Sequence, residues 1–131
     1  MTLDELRAMF AGDAFATDVC GIVIDEADAD GARCHMPLTP AHLNGNGVAQ
    51  GGAVFTLCDT TFAVAANADG ELTVSLGGNV TFVRPGSGAC LMAEATKLSR
   101  GRTTCLYDVK VYDEQRALVA YATFNGYIKR H

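Results

Sequence analysis

Apolar and polar positions follow two rhythms along this chain, and the changes between them mark out its elements. Leu3, Leu6, Met9 and Phe10 fall at helical spacing, so residues 2–10 predict a short amphipathic helix. Cys20-Gly21-Ile22-Val23-Ile24 opens a strand, and the acidic run Asp25 to Asp30, closed by Gly31, reads as a hairpin turn. Arg33 to Leu38 returns as a second strand and stops at Pro37 and Pro40. The loop His42-Leu43-Asn44-Gly45-Asn46-Gly47 has neither period.

From Gly52 to about Asn67 alanine, leucine, phenylalanine and threonine run on without a breaker, and Asn67 with Gly70 supplies a stop. This is the only long helix in the pattern. It is apolar almost all round, so protein must wrap it on most sides. The rest predicts strands: Leu72 to Val83, Ala89 to Leu98, Thr103 to Tyr112 and Ala117 to Ile128. The last three, with tight connections, form an antiparallel meander. The sum is a single α+β domain over 1–131, a curved antiparallel sheet wrapped round one central helix. A ferredoxin-like sandwich needs a second long helix, and none is visible after residue 70.

Composition narrows the field. The chain has 131 residues, the usual length of one domain, and 49% of them are hydrophobic, enough for a proper core. A net charge of −5 with no basic stripe argues against a nucleic-acid partner. No stretch approaches the roughly 20 apolar residues that span a bilayer. The polar, acidic start Met1-Thr2-Leu3-Asp4-Glu5 is unlike a signal peptide. The five cysteines (Cys20, Cys34, Cys58, Cys90, Cys105) stand singly, at no metal or redox spacing, and read as free thiols of a cytoplasmic protein. His35 and His131 have no partner at a recognisable spacing.

Candidate chemistry centres on Asp59, in the middle of the most apolar helix. A charge there is expensive to bury unless something pairs with it or uses it. From position alone, an Asp that sees solvent or a partner subunit is an equal reading. Gly51-Gly52 precedes the helix, where unpaired N–H groups and the positive dipole end form an oxyanion site that a ligand carbonyl can approach closely. A turn needing positive φ is the plain alternative. Cys58 lies about 100° from Asp59 round the helix axis and reads as core.

The segments Asn44-Gly45-Asn46-Gly47-Val48-Ala49-Gln50-Gly51-Gly52, Leu57-Cys58-Asp59, Ala65-Ala66-Asn67 and Asn79-Val80-Thr81-Phe82-Val83-Arg84-Pro85-Gly86 together resemble the hotdog-fold thioesterases of the phenylacetate-degradation (PaaI-like) group. The resemblance covers most of the chain from about residue 15. It implies a hotdog fold and hydrolysis of an acyl-CoA thioester, aryl or medium- to long-chain, with coenzyme A as part of the substrate and no other cofactor. It implies Asp59 as nucleophile or general base, the Gly52 N–H as the carbonyl's donor, Asn44 holding the carbonyl or a water, and Ser75 near the acid. One departure is clear: Gln50 stands where most members carry histidine. Glutamine can donate and accept hydrogen bonds but cannot shuttle a proton, so Asp59 is left as the only titrating group. His42 reads as an ordinary loop histidine rather than its substitute.

Gly52 and Asp59 are seven residues apart, about 10 Å along a helix. Reacting atoms must approach to about 3–3.5 Å, so one helix cannot serve one carbonyl with both groups. Two antiparallel helices across a two-fold can, so this mechanism requires a homodimer. The resemblance implies a homotetramer of two such dimers. The resemblance supports Arg84 with Pro85 at the CoA phosphates. Arg100 and Arg102 are weaker candidates, joined by Lys97 and Lys129, and solvated strand-end charges are an equal reading for each. Phe55, Phe62 and Phe82 are candidate pocket walls. Two other readings differ in class: a non-catalytic acyl-CoA-binding or sensing domain, favoured by Gln50, and an enoyl-CoA hydratase or dehydratase, which wants a histidine beside the acid.

Overall fold

A computed structural model describes residues 1–129. Helix α1 (Leu3–Phe10) starts at a capping box in which Thr2 and Glu5 satisfy each other's backbone N–H groups. After a short π-helical turn (Phe15–Val19) come strands β1 (Val23–Asp28) and β2 (Gly31–Pro37). The 3-10 turn Pro40–His42 and the asparagine-glycine loop lead to helix α2 (Gly51–Asn67). Strands β3 (Thr73–Phe82), β4 (Cys90–Arg100), β5 (Thr104–Tyr112) and β6 (Leu118–Ile128) complete the chain. All six strands form one antiparallel sheet in the order β1-β2-β4-β5-β6-β3.

The expected meander is β4-β5-β6, and β3 crosses over to pair with β6 instead of its sequence neighbour. The concave face of the sheet wraps α2, which is the α+β hotdog architecture. Leu57, Phe62 and Val64 of the helix are buried against Met36, Leu91, Tyr107, Val109, Phe124 and Ile128 of the sheet. Phe62 stacks on Phe124 at 5.4 Å and meets Tyr107 edge-on at 5.7 Å. That places Phe62 in the core, not on a pocket wall.

Two local expectations are corrected. The acidic run is strand rather than turn: β1 continues to Asp28, and only Ala29-Asp30 turn, with the Asp28 carboxylate accepting from the N–H groups of Asp30 and Gly31. Its acids face partners on β2, Glu26 opposite Arg33 and Asp25 at 2.8 Å from His35, so both strands tolerate them. His35 therefore has a partner after all. The π-helical turn lies in a stretch where the sequence showed no element; its closing bond runs from Cys20 N–H to the Phe15 carbonyl, 2.8 Å. His131 lies outside the described residues. No helix among those described is long and apolar enough to cross a membrane.

The sheet's two edges differ. At β1 the Arg7 guanidinium, projecting from α1, donates twice to the Ile24 carbonyl (3.0 and 2.7 Å) and blunts the edge. At β3 almost every residue is exposed, including Val74, Leu76 and Phe82.

Candidate active site

Helix α2 is buried on most sides but not all. Gly52, Phe55, Thr56, Asp59 and Ala63, spaced three and four apart, form an accessible stripe that runs from the helix start past its middle. Asp59 is half-buried on this stripe, and Ser75, near the start of edge strand β3, donates to its carboxylate at 3.2 Å. Burial raises the Asp59 pKa above the ordinary carboxylate range. The Ser75 hydrogen bond opposes this and the charge of Asp13 adds to it. The structure thus brings together the acid and the serine that the sequence placed 16 residues apart. Among the described residues no cation is paired with Asp59, and no group of His, Cys, Asp and Glu is placed to hold a metal.

Cys58, one step round the helix, is fully buried, and burial pushes its thiol up to about 12. It is an inert core thiol at neutral pH. The sheet's Cys34 is the same, also pushed to about 12 by burial.

At the helix start Gln50 occupies the N-cap. Its side-chain amide oxygen accepts from the N–H of Gly52 at 2.6 Å and of Ala53 at 3.2 Å. The residue expected to orient a carbonyl or a water is therefore bound to the donor expected to receive the carbonyl. His42 is buried. The Thr39 N–H donates to its Nδ1 at 2.9 Å, so its Nε2 carries the proton and donates to the Cys20 carbonyl at 2.7 Å. Both ring nitrogens are engaged, and its backbone carbonyl accepts from Gln50 N–H at 2.8 Å. His42 holds the loop through these contacts. Asn44 shapes the same loop, its side-chain oxygen accepting from Asn46 and Val48 N–H groups.

Two cavities flank the helix start. One of about 400 Å³ is lined by Asn44, Gly51, Phe82, Arg84 and Pro85. Phe82 packs so close to Gly51 that a Cβ there would sit 3.3 Å from its ring. Arg84 lies on this wall with its Nε donating to the Leu118 carbonyl at 2.9 Å. The other cavity, about 460 Å³ and mostly apolar, is lined by Phe15, Val19, Leu43, Gln50, Gly52 and Thr56. The sequence missed Phe15 and Val19, both exposed apolar side chains of the π-helical turn.

Arg100 has a different task from the one expected of it. It sits at the far end of α2, donating to the Ala66 carbonyl and the Tyr107 hydroxyl and pairing with Asp69 at 3.0 Å, with its side chain 12% exposed. It caps the helix rather than facing either cavity. Arg102 is exposed in the β4–β5 turn, and Lys97 pairs with Asp30 at 2.7 Å.

The sequence signature of the thioesterase superfamily matches residues 46–120, the span from the helix-entry loop into β6. The chain belongs to the thioesterase superfamily. The acyl-coenzyme A thioesterase PaaI of Escherichia coli (strain K12) is 37% identical over 115 residues, 87% of this chain and 81% of that protein. The structure of the E. coli PaaI protein from the phenylacetic acid degradation operon superposes with a TM-score of 0.88 at 31% identity, covering 95% and 90% of the two chains. A Streptococcus mutans protein solved bound to acetyl CoA superposes with a TM-score of 0.78 at 26% identity, covering 82% and 88%. Asp59, Gly52 and Gln50 all lie inside the span that carries the superfamily signature. This superfamily member thus presents its accessible acid on the central helix of a hotdog fold.

Proposed function

We propose that this thioesterase hydrolyses an acyl-CoA to the free acid and coenzyme A, with Asp59 as the reacting carboxylate. The observation that carries the reading is the accessible stripe of α2, where a desolvated Asp59 hydrogen-bonded to Ser75 shares one face with the helix-start N–H of Gly52. Asp59 attacks the thioester carbon or takes the proton of the water that does. In either route the carbonyl oxygen gains negative charge and needs a donor, which the Gly52 N–H supplies. The acyl-CoA named or bound in two of the similar proteins is the substrate class these groups suit.

The two groups belong to different copies of the chain in one site. Their separation of about 10 Å along α2 is too great for a single carbonyl. A second copy pairing along the open edge of β3 brings its own α2 antiparallel to the first and covers Val74, Leu76 and Phe82. The family resemblance extends this to a tetramer of two such dimers. Arg84 and Pro85, beside Gly51, suit the CoA phosphates, with Arg102 as a further surface cation. The apolar cavity at Phe15, Val19 and Leu43 suits an aryl or aliphatic acyl group. Free thiols throughout the chain fit a cytoplasmic setting.

Thiol release from a panel of aryl- and fatty acyl-CoAs tests the reading. Activity on at least one is expected, and Asp59→Asn should lower kcat by about 10²–10⁴-fold. Full activity in that variant would sink the assignment. One observation favours a second reading, an acyl-CoA-binding protein without turnover: Gln50 already fills the N–H of Gly52. Tight CoA binding with no thiol release across the panel would favour it. The hydratase reading has no support in the geometry, because His42 is engaged at both ring nitrogens.

A further inference from the structure

The side chain of Gln50 sits in the seat that the thioester oxygen needs. Its Oε1 is an sp² carbonyl oxygen, the same kind of acceptor as the substrate's, and it takes the N–H groups of Gly52 and Ala53 at 2.6 and 3.2 Å. The approach is close enough to need glycine: a Cβ on residue 52 would stand 2.7 Å from that oxygen. The same space is what an incoming carbonyl would use.

The geometry also makes the side chain removable. Gln50 is exposed, and among the described residues its Nε2 makes no hydrogen bond. Its backbone is fixed independently of its side chain. The Gln50 N–H donates to His42 O at 2.8 Å, and the His42 ring is held from both sides by Thr39 and Cys20. The Gln50 carbonyl in turn accepts from the N–H groups of Ala53 and Val54, so the first turn of α2 persists when the side chain leaves. The side chain also lines the apolar cavity that receives the acyl group in the reading above.

We infer that Gln50 is a displaceable placeholder for the thioester carbonyl. Its amide oxygen occupies the oxyanion seat in the free enzyme and is exchanged one-for-one for the substrate's oxygen. The inference rests on the thioesterase reading and adds to it an internal competitor for the oxyanion seat. Every thioester competes with the same internal amide, so displacement lowers the affinity of all acyl-CoAs by one common factor, and contacts in the cavities must make up for it. Gln50 is on this account a positioning residue that holds the oxyanion donors until a carbonyl replaces it, and not a proton carrier.

Two CoA analogues that cannot be hydrolysed separate the seat from the rest of the site: an S-(2-oxoalkyl)-CoA, which keeps a carbonyl near the position of the thioester's, and the matching S-alkyl-CoA, which has none. Calorimetric Kd values for both, on wild type, Gln50→Ala and Gln50→Glu, give a ratio from which any change in CoA electrostatics cancels. Vacating the seat in Gln50→Ala should raise the preference for the ketone about fivefold, the usual worth of a helix N-cap. Gln50→Glu keeps the chain length and holds the donors more tightly through its charge, so the preference should fall by about the same factor. The glutamate variant keeps the test alive should the alanine variant fail to fold. A preference unchanged in both variants, or lowered in Gln50→Ala, overturns the placeholder. If wild type releases thiol from acyl-CoA while that happens, only the placeholder falls. If wild type neither releases thiol nor binds either analogue, the thioesterase reading falls and the placeholder with it.

Discussion

The two ends of helix α2 are built to opposite specifications. At its carboxyl end, Asn67 accepts from Thr73 N–H at 2.8 Å and donates to the carbonyls of Ala63 and Thr73. The Ala66 carbonyl accepts from both Thr73 Oγ1 and Arg100, and the Met1 ammonium reaches the Ala68 carbonyl at 2.8 Å. These groups come from the amino terminus, β3 and β4, with Thr73 buried and Arg100 partly so, and this end is held from several directions at once. At its amino end, the only side chain on the helix N–H groups among the described residues is the exposed Gln50. Helix termini expose unsatisfied groups in either case. One set fixes the helix in the sheet, and the other rests on a single exposed side chain beside two cavities. The contrast separates the end that anchors the helix from the end where the proposed chemistry sits.

Changes at the two ends should therefore separate turnover from stability. The largest effect is expected for Gly52→Ala. The new Cβ displaces only the far end of a flexible glutamine, and alanine is the better helix former, so the melting temperature should hold or rise. The methyl group blocks the seat for the carbonyl oxygen, and kcat/KM should fall about 10²–10³-fold. A variant that kept its activity would show that Gly52 N–H is not the oxyanion donor.

Ser75→Ala should cost less, about tenfold in kcat/KM, because it removes one hydrogen bond to a charged group. Its sharper signature is in the pH profile. In the proposed mechanism Asp59 works ionised, so activity should fall as pH drops through its raised pKa, and Gln50 should add no second titrating limb. The serine hydroxyl favours the ionised form, so its loss moves the acid limb to still higher pH. A limb that stayed in place or moved down would remove Ser75 from the site.

Asn67→Ala probes the other end. It strands the buried Thr73 N–H and should lower unfolding stability by about 2 kcal/mol. Denaturant titration measures this, and kcat per folded molecule should not change. A loss of turnover there would break the division of labour.

Much of this was legible beforehand because periodicity reports burial. The long apolar helix, the first hairpin and the closing meander followed from it, and Asp59 stood out as a lone charge among Leu57, Cys58 and Phe62. What stayed hidden depended on partners far away in sequence. Arg100 looked like a strand-end cation, but its partners Ala66 and Asp69 lie more than 30 residues off and turn it into a helix cap. The acids of β1 looked like a turn until Arg33 and His35 came alongside them. The π-helical turn was too short to show a period, so the apolar cavity wall at Phe15 and Val19 went unread. Gln50 was legible as a substitution for histidine, but not as the cap of its own helix.

The central claim is that each site joins Asp59 of one copy to the helix start of another. Co-expression of differently tagged Asp59→Asn and Gly52→Ala chains, each inactive alone, tests it most directly. A mixed dimer then holds one site with both groups intact and one with neither. Purified random mixtures should recover about a quarter of wild-type kcat per chain, since half the dimers are mixed and each has one of two sites. A mixture no more active than its two parents would mean that each chain serves its own carbonyl, and the shared site would be wrong.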